Sequence, residues 1–108
     1  MMQANEIQQR FTSIQQAISM ASQSCQSEPS APAELRDFIQ RLDRESGEAV
    51  SVMQSNDESR IRQCVEQLEN LGDEAKRVCR TDTQMAPQLK EAVMRVHDEL
   101  SDLKHQLH

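Results

Sequence analysis

Four stretches of this chain repeat apolar residues at alternating intervals of four and three, which places them on one side of an α-helix. The first stretch has Ile7, Phe11, Ile14, Ile18, Ala21 and Cys25, and the last has Leu89, Val93, Val96, Leu100, Leu103 and Leu107. The second has Leu35, Ile39, Leu42, Ser46, Ala49 and Met53, and the third has Ile61, Val65, Leu68, Gly72, Ala75 and Cys79. This spacing is typical of the coiled-coil-like seams of helical bundles.

Prolines and capping residues separate the four stretches. Pro29 and Pro32 divide the first from the second, and Pro87 suits the opening turn of the last. Ser55 and Glu58 are spaced as a capping box, in which the serine hydroxyl accepts a backbone amide and the glutamate reaches back. The predicted helices cover residues 4–27, 32–54, 57–80 and 86–107.

Short connections between long helices favour antiparallel neighbours. We therefore predict a single all-α domain over residues 1–108, folded as an antiparallel up-down-up-down four-helix bundle. The alternative is a helical hairpin that completes its bundle only by dimerising.

Two seam positions lack a large apolar side chain. Ser46 and Gly72 fall at corresponding places in the middle of the second and third predicted helices. Because glycine costs a helix roughly 1 kcal/mol relative to alanine, a packing reason is expected. We predict that these two helices approach each other closely here, and the alternative is a small internal cavity.

Charge and composition disfavour several functions. The net charge is −6, and the chain has two Phe, no Trp and no Tyr, so neither a phosphate-binding face nor a base-stacking platform for nucleic acid is expected. No apolar run is long enough to span a membrane, and the N-terminus does not resemble a secretory leader. Acids and bases alternate on exposed faces, as in the i, i+4 pair Asp73–Arg77. We predict a cytoplasmic protein that binds neither nucleic acid nor membrane.

Catalytic and cofactor motifs are missing from the sequence. It has no glycine-rich phosphate loop, no nucleophile elbow and no HExxH zinc motif. We therefore predict that the protein is not an enzyme and holds no cofactor.

Cysteines and C-terminal histidines form the basis of one alternative function. Three cysteines without a CxxC pair indicate reduced thiols that pack as small apolar groups. Cys25 and Cys79 end the first and third predicted helices, on diagonal corners too far apart for a disulfide. His105 and His108 share a face of the last helix, where they also suit the negative end of the helix dipole. The alternative is a metal- or redox-responsive bundle that uses these thiols or these histidines.

The first helix carries no charged residue from Phe11 to Ser27. Depletion of charge with methionine present is typical of the centre of protein–protein interfaces. The candidate interface residues are Gln15, Gln16, Ser19, Met20 and Gln23. We predict a small acidic adaptor, chaperone or regulator that binds a protein partner, or itself, through this helix. The alternative is a neutral glutamine and serine face that stays in contact with water.

Overall fold

The computed structural model describes residues 3–82 and 84–107, and their regular secondary structure is entirely helical. The five helices in these ranges are α1 (Ala4–Ser27), α2 (Ala33–Glu48), α3 (Val50–Met53), α4 (Glu58–Thr81) and α5 (Pro87–Leu107). The all-α prediction is confirmed.

The helices pack in a cyclic order of neighbours. Helix α1 contacts α2 and α5, α4 contacts the same two helices, and the short α3 lies against α1, α2 and α4. No Cα atom of α1, which is described along its whole length, lies within 8 Å of a Cα atom of α4. These two helices therefore lie across the core from each other. None of the helices in the described ranges is long and apolar enough to cross a bilayer.

The core consists of the four predicted seams. Every position of each seam is buried, including Ser46 and Gly72. Apolar residues outside the seams complete the core: Ala17, Ala31, Leu71, Val78 and Met85. Burial of these side chains, at about 1.5–3 kcal/mol for each large one, is the main force that holds the helices together.

The second predicted helix is interrupted. We predicted one helix over residues 32–54, whereas α2 ends at Glu48 and α3 begins at Val50. The Ser46 hydroxyl donates to the Asp43 carbonyl oxygen at 3.0 Å, a backbone contact that bends helices. Gly47, whose missing side chain faces open space, further lowers the local helix propensity.

The start of α4 differs from the predicted capping box. Asp57 is the N-cap, and its carboxylate accepts a hydrogen bond from the Arg60 amide at 3.2 Å. The Ser55 hydroxyl instead donates to the Val52 carbonyl at 2.6 Å and accepts from the Asp57 amide at 3.3 Å. The capping-box prediction is therefore wrong in its residues, because Ser55 closes the turn after α3 and leaves Asp57 to cap α4.

Gly72 packs against a different helix from the one predicted. A Cβ atom at this position would lie 3.4 Å from Leu100 Cδ1 and 3.7 Å from His97 Cα, both on α5. No atom of α2 lies among these near neighbours. The prediction of close approach to the helix that carries Ser46 is therefore wrong, and the small residue at 72 makes room for Leu100.

Candidate functional site

The predicted interface on α1 is largely accessible. Gln16, Ser19, Met20 and Gln23 are exposed, and Gln15 is half-buried beside them. The four exposed residues follow i, i+3, i+4 and i+7 spacing, so they share one face of the helix. We call these four residues the α1 face. Its opposite side carries the first seam, which anchors α1 in the core.

Met20 is the most unusual residue of the α1 face. Its exposed fraction is 53%. Among the residues that the structure describes, Met20 is the one large hydrophobic residue that is exposed. A long, flexible thioether side chain adapts to irregular partner surfaces. The α1 face therefore combines an apolar centre with neutral hydrogen-bonding neighbours.

Helix α5 forms one border of the α1 face. Arg95 Nη1 lies 4.0 Å from Met20 Sδ, and Arg95 Nε lies 3.8 Å from Glu99 Oε2. The Ser13 hydroxyl donates to Glu99 Oε1 at 2.8 Å. Glu99 Oε2 is buried and accepts no hydrogen bond from the protein. This border thus places one exposed cation, Arg95, beside Met20.

The thiols occupy two different environments. Cys25 and Cys79 are buried in the last turns of α1 and α4, Cys64 is half-buried, and none of the three forms a disulfide. The Cys79 thiol donates to Met85 Sδ at 3.6 Å inside the core. The predicted absence of a Cys25–Cys79 disulfide agrees with the helix positions, since their Cα atoms are more than 8 Å apart and a disulfide needs about 7 Å or less.

Burial raises the pKa of all three thiols. Desolvation is the main cause, and it raises the pKa of Cys79 to about 11, with a smaller contribution from the nearby Cys25. Arg36 opposes this effect at Cys25, and Lys90 opposes it at Cys79. The cation that acts on Cys79 is Lys90, which lies on the next helix along the chain. Near neutral pH the thiols stay protonated and are weak nucleophiles.

The histidines are dispersed along α5. His97 is largely buried, with Nε2 2.7 Å from Asp73 Oδ1 and Nδ1 3.4 Å from Asp98 Oδ1. His105 is exposed in the last turn, and His108 lies outside the described residues. Among residues 3–82 and 84–107, no three His, Cys, Asp or Glu side chains converge as a set of metal ligands. The metal-ligand role of His105 and His108 stays a prediction, because one of the two residues is not described.

Two shallow grooves lie between α4 and the helices α2 and α3. One has a volume of about 400 Å³ and includes Phe38 and Leu71, and the other has about 220 Å³ and includes Val52 and Cys64. Leu71 is buried, whereas Phe38, Val52 and Cys64 are partly exposed because they lie at the edge of the seams.

The raised pKa of Cys79 predicts a loss of stability at alkaline pH in metal-free protein. Between its ordinary value of 9.0 and about 11, the unfolded chain releases the thiol proton and the folded chain keeps it. The free energy of unfolding should therefore fall as pH rises through this window, by about 1–2 kcal/mol from Cys79. Urea titrations from pH 8 to 11 measure this slope.

The control for this prediction is Cys79→Ala, which removes the Cys79 thiol and leaves the other titratable groups in place. The alkaline slope should be shallower in Cys79→Ala than in the wild type. Equal slopes in the two proteins would show that the Cys79 thiol does not carry the effect.

No protein-family model, curated protein or solved structure matches this chain.

Proposed function

We propose that this chain is a small acidic, non-enzymatic protein that works by binding another protein through the α1 face. The observation that carries this proposal is the exposed Met20 within a stretch free of charge from Phe11 to Ser27. Interface centres are depleted in charge and enriched in methionine. The partner surface should itself be low in charge, to match the uncharged α1 face.

We also propose that the long helices alternate in direction, as an up-down-up-down bundle in which α2 and α3 together form the second arm. Ser13 contacts Glu99, and Met20 contacts Arg95, so residue numbers rise along α1 as they fall along α5. The same reversal relates α4 to α5, through Glu69–Lys104 and Asp73–His97. This arrangement supports a single domain that presents α1 on a rigid scaffold.

The chemistry of the chain favours a protein partner inside the cell. A net charge of −6 disfavours phosphate backbones and anionic lipid surfaces. Three cysteines without a disulfide suit a reducing compartment. We therefore place the protein in the cytoplasm, as an adaptor, chaperone or regulator.

The test is the double substitution Gln16→Lys and Gln23→Lys. It places one cation on each side of Met20 in the proposed interface, where lysine is disfavoured. We expect binding to a partner to weaken by at least about tenfold, which corresponds to ~1.4 kcal/mol. Affinity capture from the source cell identifies the partner, and titration with the purified partner measures the loss.

The matched control is Gln63→Lys with Asn70→Lys on α4. Both residues are exposed and separated by the same seven positions, so the charge change and spacing are identical. A partner held by wild type and control but lost by the α1 variant supports the proposal. Sedimentation equilibrium of the same proteins reveals whether that partner is a second copy of the chain. Equal binding by the α1 variant and the control would refute the proposal that the α1 face binds the partner.

A further inference from the structure

We propose that Cys25, Cys79 and Met85 form a buried binding site for Cu(I). The inference is separate from the α1 face, since these residues lie in the core and not on the exposed side of α1. It gives the thiol alternative of the sequence analysis a defined set of ligands. Met85 is the member that the sequence analysis missed.

The fold brings three sulfur atoms from separate segments to one region of the core. Cys25 lies in the last turn of α1, Cys79 in the last turn of α4, and Met85 in the connection before α5. The exposed fractions of the three residues are only 3–4%. Cys79 Sγ lies 3.6 Å from Met85 Sδ, and Cys25 belongs to the same buried core cluster as both residues. After desolvation, the charge of Cys25 is the next cause of the raised pKa of Cys79.

The separation of the two cysteines argues against a direct bond between them. Their Cα atoms are more than 8 Å apart, so a disulfide, with an S–S bond of about 2.05 Å, would require backbone movement. A metal ion between two thiolates forms two metal–sulfur bonds of about 2.3 Å each. The two sulfur atoms can therefore lie farther apart in a metal complex than in a disulfide.

The set of donors selects a soft ion. Thiolate and thioether ligands favour Cu(I), whereas borderline ions such as zinc are completed by imidazole or carboxylate. In the described ranges no third His, Cys, Asp or Glu joins the two thiols. Among the described residues, the donor that contacts the Cys79 thiol in the core is the Met85 thioether, a ligand that Cu(I) accepts.

Charge balance supports the site. Binding releases one proton from each thiol to solvent, the two sulfur–copper bonds replace the two S–H bonds, and copper stays in its +1 state. The resulting bis-thiolate complex carries one negative charge. Arg36 acts electrostatically on Cys25 and Lys90 on Cys79. Arg36 Nε is buried without a hydrogen-bond partner from the protein, so a nearby thiolate would give this cation a counter-charge.

The test is an anaerobic competition between the full-length protein and bathocuproine disulfonate, a coloured Cu(I) chelator. We expect wild type to withdraw about one equivalent of Cu(I) from the chelator. Cys25→Ala and Cys79→Ala should each weaken binding by at least about 100-fold, and Met85→Leu by about tenfold. Circular dichroism of each variant confirms that it is folded.

Cys64→Ala provides the matched control, because Cys64 is a thiol on the same helix as Cys79 but outside the cluster. It should bind Cu(I) as the wild type does. X-ray absorption on copper-loaded wild type needs no substitution and should show a shell of sulfur alone. Failure of the wild type to compete, an equal loss in Cys64→Ala, or nitrogen in the copper shell would each overturn the site. Unchanged binding by Met85→Leu would overturn the role of its thioether.

Discussion

Replacement of Leu100 by alanine should lower the free energy of unfolding by about 3–4 kcal/mol. Leu100 lies in the middle of α5 with no exposed surface. Its Cδ1 atom occupies the space above Gly72, which has no side chain of its own. The truncation therefore leaves a cavity that its neighbour on α4 cannot fill. Urea unfolding followed by circular dichroism measures the loss.

The substitution Gly72→Leu tests whether this space is shared. In the wild type the new side chain collides with Leu100 and should destabilise the protein by about 1–3 kcal/mol. In the Leu100→Ala background the same substitution grows into the cavity and should restore stability. The change in stability caused by Gly72→Leu should therefore be opposite in the two backgrounds. Helix propensity alone favours leucine over glycine in both, so it cannot produce this reversal. A stability change of the same sign in both backgrounds would refute the idea that residues 72 and 100 share this space.

Phe11→Ala should destabilise the protein by a comparable amount, about 3–5 kcal/mol. Phe11 belongs to the first seam, and its exposed fraction is only 2%. The loss approaches the whole stability of a marginal domain, which is about 5–15 kcal/mol. Thermal unfolding of the variant should therefore begin near ambient temperature.

Phe38 provides the control for Phe11, since these are the two phenylalanines of the chain. Phe38 is half-buried in the groove between α2 and α4, where water refills the space left by truncation. We expect Phe38→Ala to cost about 1 kcal/mol, in proportion to the smaller area that it buries. Equal losses in the two variants would contradict the burial that distinguishes them.

The sequence was sufficient to identify the core but not the contacts between its parts. Every seam position is buried, because a repeat of four and three determines which side of a helix is apolar whatever its neighbours are. The neighbour of Gly72 depends on how the helices are ordered in space, which this repeat does not specify. Arg77 similarly contacts Glu34 at 2.7 Å and Glu74 at 3.0 Å, whereas the predicted partner Asp73 contacts His97.

Structural features that follow no periodic pattern of apolar residues were not predicted from the sequence. The interruption at Ala49 follows from the Ser46 hydroxyl contact and from the low helix propensity of Gly47, neither of which changes the apolar pattern. Met85 lies in a connection, where burial has no repeating signal, so its contact with Cys79 could not be anticipated. On α1, by contrast, the absence of charge is visible in the sequence itself, and four of the five predicted interface residues are exposed.

The interruption between α2 and α3 has a consequence for local motion. Residues around Ala49 lose the uninterrupted ladder of hydrogen bonds that protects amides in a long helix, and the four-residue α3 is too short to be stable by itself. Amide hydrogens there should exchange with solvent faster than those in the middle of α4, through openings that leave the rest of the fold intact. We therefore expect partial unfolding to begin in the α3 segment rather than in the middle of the long helices.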